Sequence, residues 1–320
     1  MAKKALITGI SGMVGSLLAE YLLEQDCEVY GILRRSSSNN TQRIQHLFPY
    51  ITLISGDLTD QASLDGAVEE VRPDFIFHLG AMSFVPDSWI QPETTTNVTG
   101  LGTLRMLEAM GRYAPEARFL TSCSSEQFGK VVEIPQTEKT PFYPRSPYGV
   151  AKTMSYEITR VYRESFNQFA CSSICFNMES TRRGEQFVTR KIAMGVAKIK
   201  AGLQDYIELG NLEAKRDWMH AKDAVKGMWL ILQQPKPEDF VLASGETHSI
   251  REFLEEAFRI AGITYWSRYV KINEAFLRPA EVDLLLGDPS KAERELGWTR
   301  EYNFEDIVAD MVTFEMARLM

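Results

Sequence analysis

The first twenty-four residues set the frame for everything after them. Residues 5–8 (ALIT) form a short apolar run, and Gly9-Ile10-Ser11-Gly12-Met13-Val14-Gly15 follows at once. Residues 13–24 then take helical periodicity, with Leu17, Leu18, Tyr21 and Leu22 on one side. A strand, a G-x-x-G-x-x-G turn and a helix in immediate succession admit few folds. The first glycine permits a tight turn, the second lets a pyrophosphate approach the backbone, and the third lets helix and strand pack closely. The helix N-terminus then points at the anion. Gly9, Ser11, Gly12, Met13, Val14 and Gly15 are therefore assigned to a dinucleotide site.

The pattern continues as such a unit requires. Short apolar runs at 28–33, 51–54, 75–79, 119–123 and 171–176 read as strands. Helical segments lie between them, including 63–71, 99–113 and 148–166. Strands alternating with helices imply an α/β fold: a doubly wound parallel sheet of the Rossmann type with helices on both faces. After residue 176 the alternation weakens. A chain of 320 residues has room for two modest domains. Residues 1–175 are read as a dinucleotide-binding Rossmann domain, which parts of 213–243 are expected to rejoin. Residues 176–320 are read as a smaller, mixed substrate domain.

Composition narrows the class of partner. There are 35 basic against 43 acidic residues, a net charge of −8, which is the wrong balance for a protein whose main ligand is nucleic acid. No stretch reaches ~18 uninterrupted apolar residues, so no membrane span is expected. The N-terminus runs from Met-Ala-Lys-Lys straight into the first strand, with no cleavable signal. Cys27, Cys123, Cys171 and Cys175 form no Cys-x-x-Cys pair, so neither a zinc knuckle nor a disulfide framework is indicated and no metal is expected. A soluble cytoplasmic protein is expected.

The end of the second strand selects the dinucleotide. An NAD site places Asp or Glu there for the ribose 2′-hydroxyl. This chain has Leu33-Arg34-Arg35-Ser36. Guanidinium groups and a hydroxyl suit a 2′-phosphate, so NADP is favoured, held by Arg34, Arg35 and Ser36. Asp57 and Leu58 after the third strand are placed near the adenine. Leu79, Gly80, Ala81 and Ser83 after the fourth are placed along the pyrophosphate and nicotinamide ribose.

Proton-transfer groups follow the fifth strand. Tyr148 and Lys152 stand one helical turn apart on the same face. A free tyrosine titrates near pH ~10, and a nearby ammonium is expected to bring the phenol towards use as a base. The same lysine can bind ribose hydroxyls. Ser124 can share a proton with a substrate hydroxyl. Glu126 is the less usual group, since a carboxylate beside a hydride-transfer site can remove a carbon-bound proton and protonate a leaving hydroxyl. That is elimination chemistry, which a simple ketone reductase does not need. Cys123 is read as packing within its strand.

These residues together resemble the extended short-chain dehydrogenase/reductase family. In the second half the match tightens to its GDP-mannose 4,6-dehydratase group. The segments that carry it are 34–44 (RRSSSNNTQRI), 141–152 (PFYPRSPYGVAK), 177–191 (NMESTRRGEQFVTRK), 209–218 (LGNLEAKRDW), 239–253 (DFVLASGETHSIREF) and 278–289 (RPAEVDLLLGDP). The resemblance implies that Ser124, Glu126 and Tyr148, supported by Lys152, are catalytic. It implies that Asn177, Val188, Lys191, Arg216, Arg278 and Glu281, together with Ser83 and Ser124, line a GDP-sugar site. Met178 and Arg183 match cofactor-contacting positions. Segment 34–44 matches a loop that reaches a neighbouring subunit, which implies a homo-oligomer, a tetramer or a dimer. The chain departs from the family pattern at Met13-Val14, where Gln-Asp is usual. It also departs at Met178 for histidine, Thr181 for proline and Ser124 for threonine.

The reaction so implied converts GDP-mannose to GDP-4-keto-6-deoxymannose by internal hydride transfer through NADP and loss of water. A related GDP-sugar such as a GDP-heptose is an alternative substrate. Nucleotide-sugar 4-keto reduction or epimerisation is the alternative reaction, and Glu126 speaks against both. A non-catalytic NADP(H)-sensing protein would not need the Ser124/Glu126/Tyr148/Lys152 set.

Overall fold

The computed structural model describes residues 2–37, 40–276, 282 and 284–319. Its central sheet has seven strands, all parallel. In spatial order they are Phe240–Leu242, Phe169–Cys175, Arg118–Ser124, Phe75–His78, Lys4–Thr8, Glu28–Leu33 and Ile51–Ser55. Runs such as FIFH are buried at every position, as a sheet covered on both faces demands. Successive side chains go to opposite faces. Phe77 joins a core with Leu18, Leu22, Leu120 and Met228, while Ile76 joins one with Leu64, Val68, Met106 and Phe119.

Lys4–Thr8 pairs with Glu28–Leu33 on one side and Phe75–His78 on the other. The order of the strands therefore reverses beside the first strand. Sheets of this kind bind ligands in the crevice beyond the carboxyl ends at that point.

The later chain divides its residues between two cores. Helices Val188–Lys200, Ile250–Ile260 and Phe304–Leu319 bury Ile192, Val196, Phe253, Phe258, Val308 and Met311 against one another. Helix Ala221–Gln233 instead packs Val225 and Met228 beside the glycine-loop helix, and Phe240–Leu242 extends the sheet. Ala292, Leu296 and Trp298 pack into that same core, and the Trp298 indole N–H donates to the Asp223 carbonyl at 2.8 Å. This last return had no signal in the sequence, because two apolar residues in the short helix Ser290–Leu296 and a tryptophan just beyond it show no lasting period.

Local chemistry explains the element ends. The helix that carries Tyr148 runs over Pro147–Phe166, since Ser146 accepts the Gly149 N–H at 3.0 Å and Pro147 opens the first turn. The helix expected over 99–113 starts earlier, as a π turn at Asn97–Leu101 followed by Gly102–Tyr113. Arg105 supports that turn by donating to the carbonyls of Leu58 and Asn97 and to the Asn97 side chain.

Candidate active site

The glycine loop closes tightly on its neighbours. Gly9 has φ +72°, and a Cβ there would lie 2.9 Å from the Gly80 nitrogen. At Gly15 a Cβ would lie 2.2 Å from the Gly9 carbonyl oxygen. The Thr8 hydroxyl accepts the Gly80 N–H at 3.0 Å and shares a hydrogen bond with His78 Nδ1, 2.9 Å away. His78 is buried and stands as a neutral ring. Burial pushes it down to about 3, with the Lys152 ammonium adding to the effect.

That depression has a measurable consequence. An unfolded His78 takes up a proton near its ordinary 6.5, and the folded one does so only near 3. Stability from this residue is therefore fully present above pH 6.5 and is lost as pH falls towards 3. By pH ~5 the loss is about 2 kcal/mol. Urea unfolding of the wild type should fall by that much more between pH ~7 and ~5 than unfolding of a His78→Gln variant. An equal fall in both would show that the fold does not hold His78 neutral.

Beyond the strand ends lies a cleft of about 1240 Å³. A site for one small ligand takes roughly 300–1,000 Å³, so this cleft has room for two. One wall carries Gly9, Ser11, Gly12, Met13, Val14, Gly15, Arg34, Ser36, Asp57, Leu58, Leu79, Gly80, Ala81 and Ser83. Ser124, Glu126, Tyr148 and Lys152 stand at its centre. Asn177, Met178, Arg183, Val188, Lys191 and Arg216 line the other wall. On the loop after the second strand Arg34 and Arg35 are both exposed, and of the two Arg34 lines the cleft. Arg278 and Glu281 lie outside the described residues.

Arg43 lines the cleft as well and donates through Nε to the Arg182 carbonyl at 2.8 Å. Phe84, Phe187 and Phe276 are further lining residues that no spacing rule had marked. Close backbone approach at Gly9 and Gly15, with Arg34 and Ser36 at the second strand's end, fits a phosphorylated dinucleotide.

The central group is built on two packed turns. Ser124 ends its strand, accepts the Glu126 N–H at 3.3 Å, and donates its own N–H to Gln127 Oε1 at 2.9 Å. This capping holds Glu126 in a sharp turn, where it is 8% exposed. A Cβ on Gly149 would lie 2.7 Å from the Glu126 carbonyl oxygen, so the helix start that bears Tyr148 is seated directly on that turn. Lys152 is buried and donates to the Ser122 carbonyl.

The electrostatics of Tyr148 differ from the sequence-based expectation. Burial pushes the phenol well above its ordinary value. A hydrogen bond with Ser124 and the charge of Arg183 pull it back, while Glu126 and Cys123 push it further up. Lys152 Nζ lies 6.0 Å from the Tyr148 ring centroid, and burial disfavours its own charged form. The cation that most offsets the burial is therefore Arg183. Cys123 is inert in turn, since burial pushes its thiol up to about 12.

On the second wall, Arg216 is 6% exposed and donates to the Val282 carbonyl at 2.6 Å. Asp217 beside it accepts the backbone N–H groups of Ser244, Gly245 and Gly287 at 2.7, 3.1 and 3.2 Å. Those bonds hold its carboxyl down, but burial still raises it to about 6. Lys191 Nζ sits 3.7 Å from the Phe276 ring centroid. Among the described residues there is no group of side chains suited to a metal ion, and no helix is long and apolar enough to cross a membrane.

A Rossmann sheet with a Tyr-x-x-x-Lys helix beside its glycine loop, and a second wall from a smaller lobe, defines the extended short-chain dehydrogenase/reductase class. Solved structures of that shape agree. DesIV, a dTDP-glucose 4,6-dehydratase from Streptomyces venezuelae with NAD bound, superposes with a TM-score of 0.85 at 24% identity, covering 97% of this chain and 96% of that one. RMD from Pseudomonas aeruginosa, complexed with NADPH, superposes with a TM-score of 0.81 at 23% identity, covering 99% of each. At such identities the likeness is one of fold. The sequence comparison goes further. A family model described as GDP-mannose 4,6 dehydratase matches residues 6–311. The GDP-mannose 4,6-dehydratase of Yersinia enterocolitica is 47% identical over 349 residues, covering 98% of this chain and 94% of that protein. The human GDP-mannose 4,6 dehydratase is 48% identical over 334 residues, covering 96% and 90%. The chain belongs to the GDP-mannose 4,6-dehydratase family.

Proposed function

We propose that this chain is an NADP-dependent GDP-mannose 4,6-dehydratase, which removes water from GDP-mannose to form GDP-4-keto-6-deoxymannose. The observation that supports this most is that Glu126 shares one cleft with Ser124, Tyr148 and Lys152. A hydroxyl, a phenol and an ammonium serve redox chemistry at a carbinol carbon, and a carboxylate among them adds elimination.

Gly9, Gly12 and Gly15 would admit the cofactor's pyrophosphate, Arg34 and Ser36 would hold its 2′-phosphate, and Met178 and Arg183 would contact it from the second wall. When bound, it supplies a reversible hydride acceptor that is regenerated in each cycle. The chain's own groups move the protons. Tyr148 accepts the proton of the C4 hydroxyl, with Ser124 sharing the hydrogen bond, and Lys152 holds the ribose hydroxyls. A ketone at C4 acidifies the C5 hydrogen. Glu126 removes that proton and protonates the departing C6 hydroxyl, and a proton from solvent, delivered through Glu126, restores the C5 hydrogen as the product forms. Asn177, Val188, Lys191 and Arg216, joined by Arg278 and Glu281, hold the GDP moiety, whose diphosphate suits charge-assisted bonds.

The test is mass spectrometry of GDP-mannose incubated with the purified protein and trace NADP+. A product lighter by one water, in large excess over cofactor, is expected, with NAD+ a poor substitute. GDP-mannose of unchanged mass would overturn the assignment. The same reading makes the protein a cytoplasmic homo-oligomer, a tetramer or a dimer, which light scattering of the purified protein measures.

A further inference from the structure

Two aromatic rings meet across the cleft. Phe84 caps the helix Val85–Ile90, just after the strand Phe75–His78. Phe187 caps the helix Val188–Lys200 on the opposite wall. Their ring centroids are 5.3 Å apart at 76°, an edge-to-face contact. Both line the cleft, and both are only partly buried. Phe187 also carries the Arg183 guanidinium, whose Cζ lies 3.7 Å from the ring centroid. Arg183 Nε lies 3.3 Å from a carboxylate oxygen of Glu179. Glu179 is buried and accepts the Thr189 hydroxyl at 2.6 Å. The guanidinium is thus held along one edge by a fixed carboxylate and across its plane by a ring.

We propose that Phe84 is a positioning residue: from the opposite wall it seats Phe187, and through Phe187 it holds Arg183 within reach of Tyr148. This rests on the reading of Tyr148 as the proton-transferring phenol. The surroundings of Tyr148 show why placement matters. Ser124 on its strand and Arg183 on the second wall favour the phenolate, while Glu126 on the turn and Cys123 on the strand oppose it. Lys152, on the same helix, is 6.0 Å from the ring centroid. Arg183 is the charge that counters burial, and it stands on a loop. A shift of that loop weakens its field at the phenol. Phe84 touches the loop from a different part of the chain, so it restrains Arg183 without taking part in the chemistry.

The experiment compares Phe84→Leu, Phe84→Tyr, Arg183→Gln and the Phe84→Leu/Arg183→Gln double variant. Each is measured as kcat/KM for water loss against pH and, separately, as the NADPH dissociation constant from the fluorescence of bound NADPH. Phe84→Leu should lower kcat/KM about fivefold, the worth of one aromatic pair, and move the acid limb up by about half a pH unit. Phe84→Tyr should recover wild-type behaviour within about twofold. On the Arg183→Gln background, Phe84→Leu should cost less than about twofold, because the residue it acts through is gone. An equal cost on both backgrounds, or an unmoved limb, overturns the proposal. If the wild type releases no water from GDP-mannose, the functional reading fails and the NADPH titration decides alone. Non-additive changes in the dissociation constant would then support the coupling of Phe84 to Arg183, and additive ones would refute it.

Discussion

Replacing Glu126 by glutamine is expected to slow water loss from GDP-mannose about a thousandfold, the middle of the range for losing a positioned acid/base group. The amide has nearly the same shape, so the turn should persist. The bonds that hold that turn come from the backbone and from neighbours: the Ser124 hydroxyl takes the Glu126 N–H, and Gln127 closes back on Ser124. Binding should therefore survive, with dissociation constants for NADPH and GDP-mannose within about threefold of wild type. Solvent deuterium should no longer enter C5 of the sugar. A variant that loses water at a rate within tenfold of wild type would remove Glu126 from the elimination step.

Gly15→Ala should weaken NADPH binding about a hundredfold, from roughly 2–3 kcal/mol of overpacking at the phosphate turn. The added methyl would sit 2.2 Å from the Gly9 carbonyl oxygen and 2.8 Å from Ile10 Cα. Both are backbone atoms and cannot turn aside as a side chain would. The first helix must back away from the turn, and the turn is already locked to Gly80 through the Thr8 hydroxyl. The helix itself is well anchored, since Leu18, Ala19 and Leu22 are fully buried. The strain is therefore expected to appear at the phosphate end. Gly66→Ala is the control, because its Cβ, on the helix Gln61–Val71 outside the cleft, would meet nothing within 4 Å. Fluorescence titration of NADPH against both variants gives the comparison, and equal affinities would show that the helix–turn contact does not shape the site.

Some of this molecule could be read directly from residue order. The strand-turn-helix start, the parallel alternation and the Tyr148/Lys152 spacing are local patterns, and local patterns survive in a linear string. Other parts could not be read. Arg34 and Arg35 are indistinguishable by type, and only the path of the loop sends one into the cleft. The return of Ala292, Leu296 and Trp298 to the first core includes a contact from Trp298 to Asp223, 75 residues distant in the chain. The cross-cleft pair Phe84 and Phe187 is a meeting of two loops, each of which looks like ordinary hydrophobic punctuation.

The acidity of Tyr148 shows the division most sharply. Sequence alone determined that a phenol and an ammonium share a helix face, since the backbone period places them there whatever surrounds them. It also determined which residue types stand at the strand ends, and hence the chemistry the cleft can hold. Only the tertiary structure decided the balance among those groups. Burial dominates the Tyr148 phenol and turns the Lys152 ammonium towards the Ser122 carbonyl, and Arg183 arrives from the second wall to oppose it. Charge interactions depend on distance and on exclusion of water, and neither quantity exists until the chain has closed on itself.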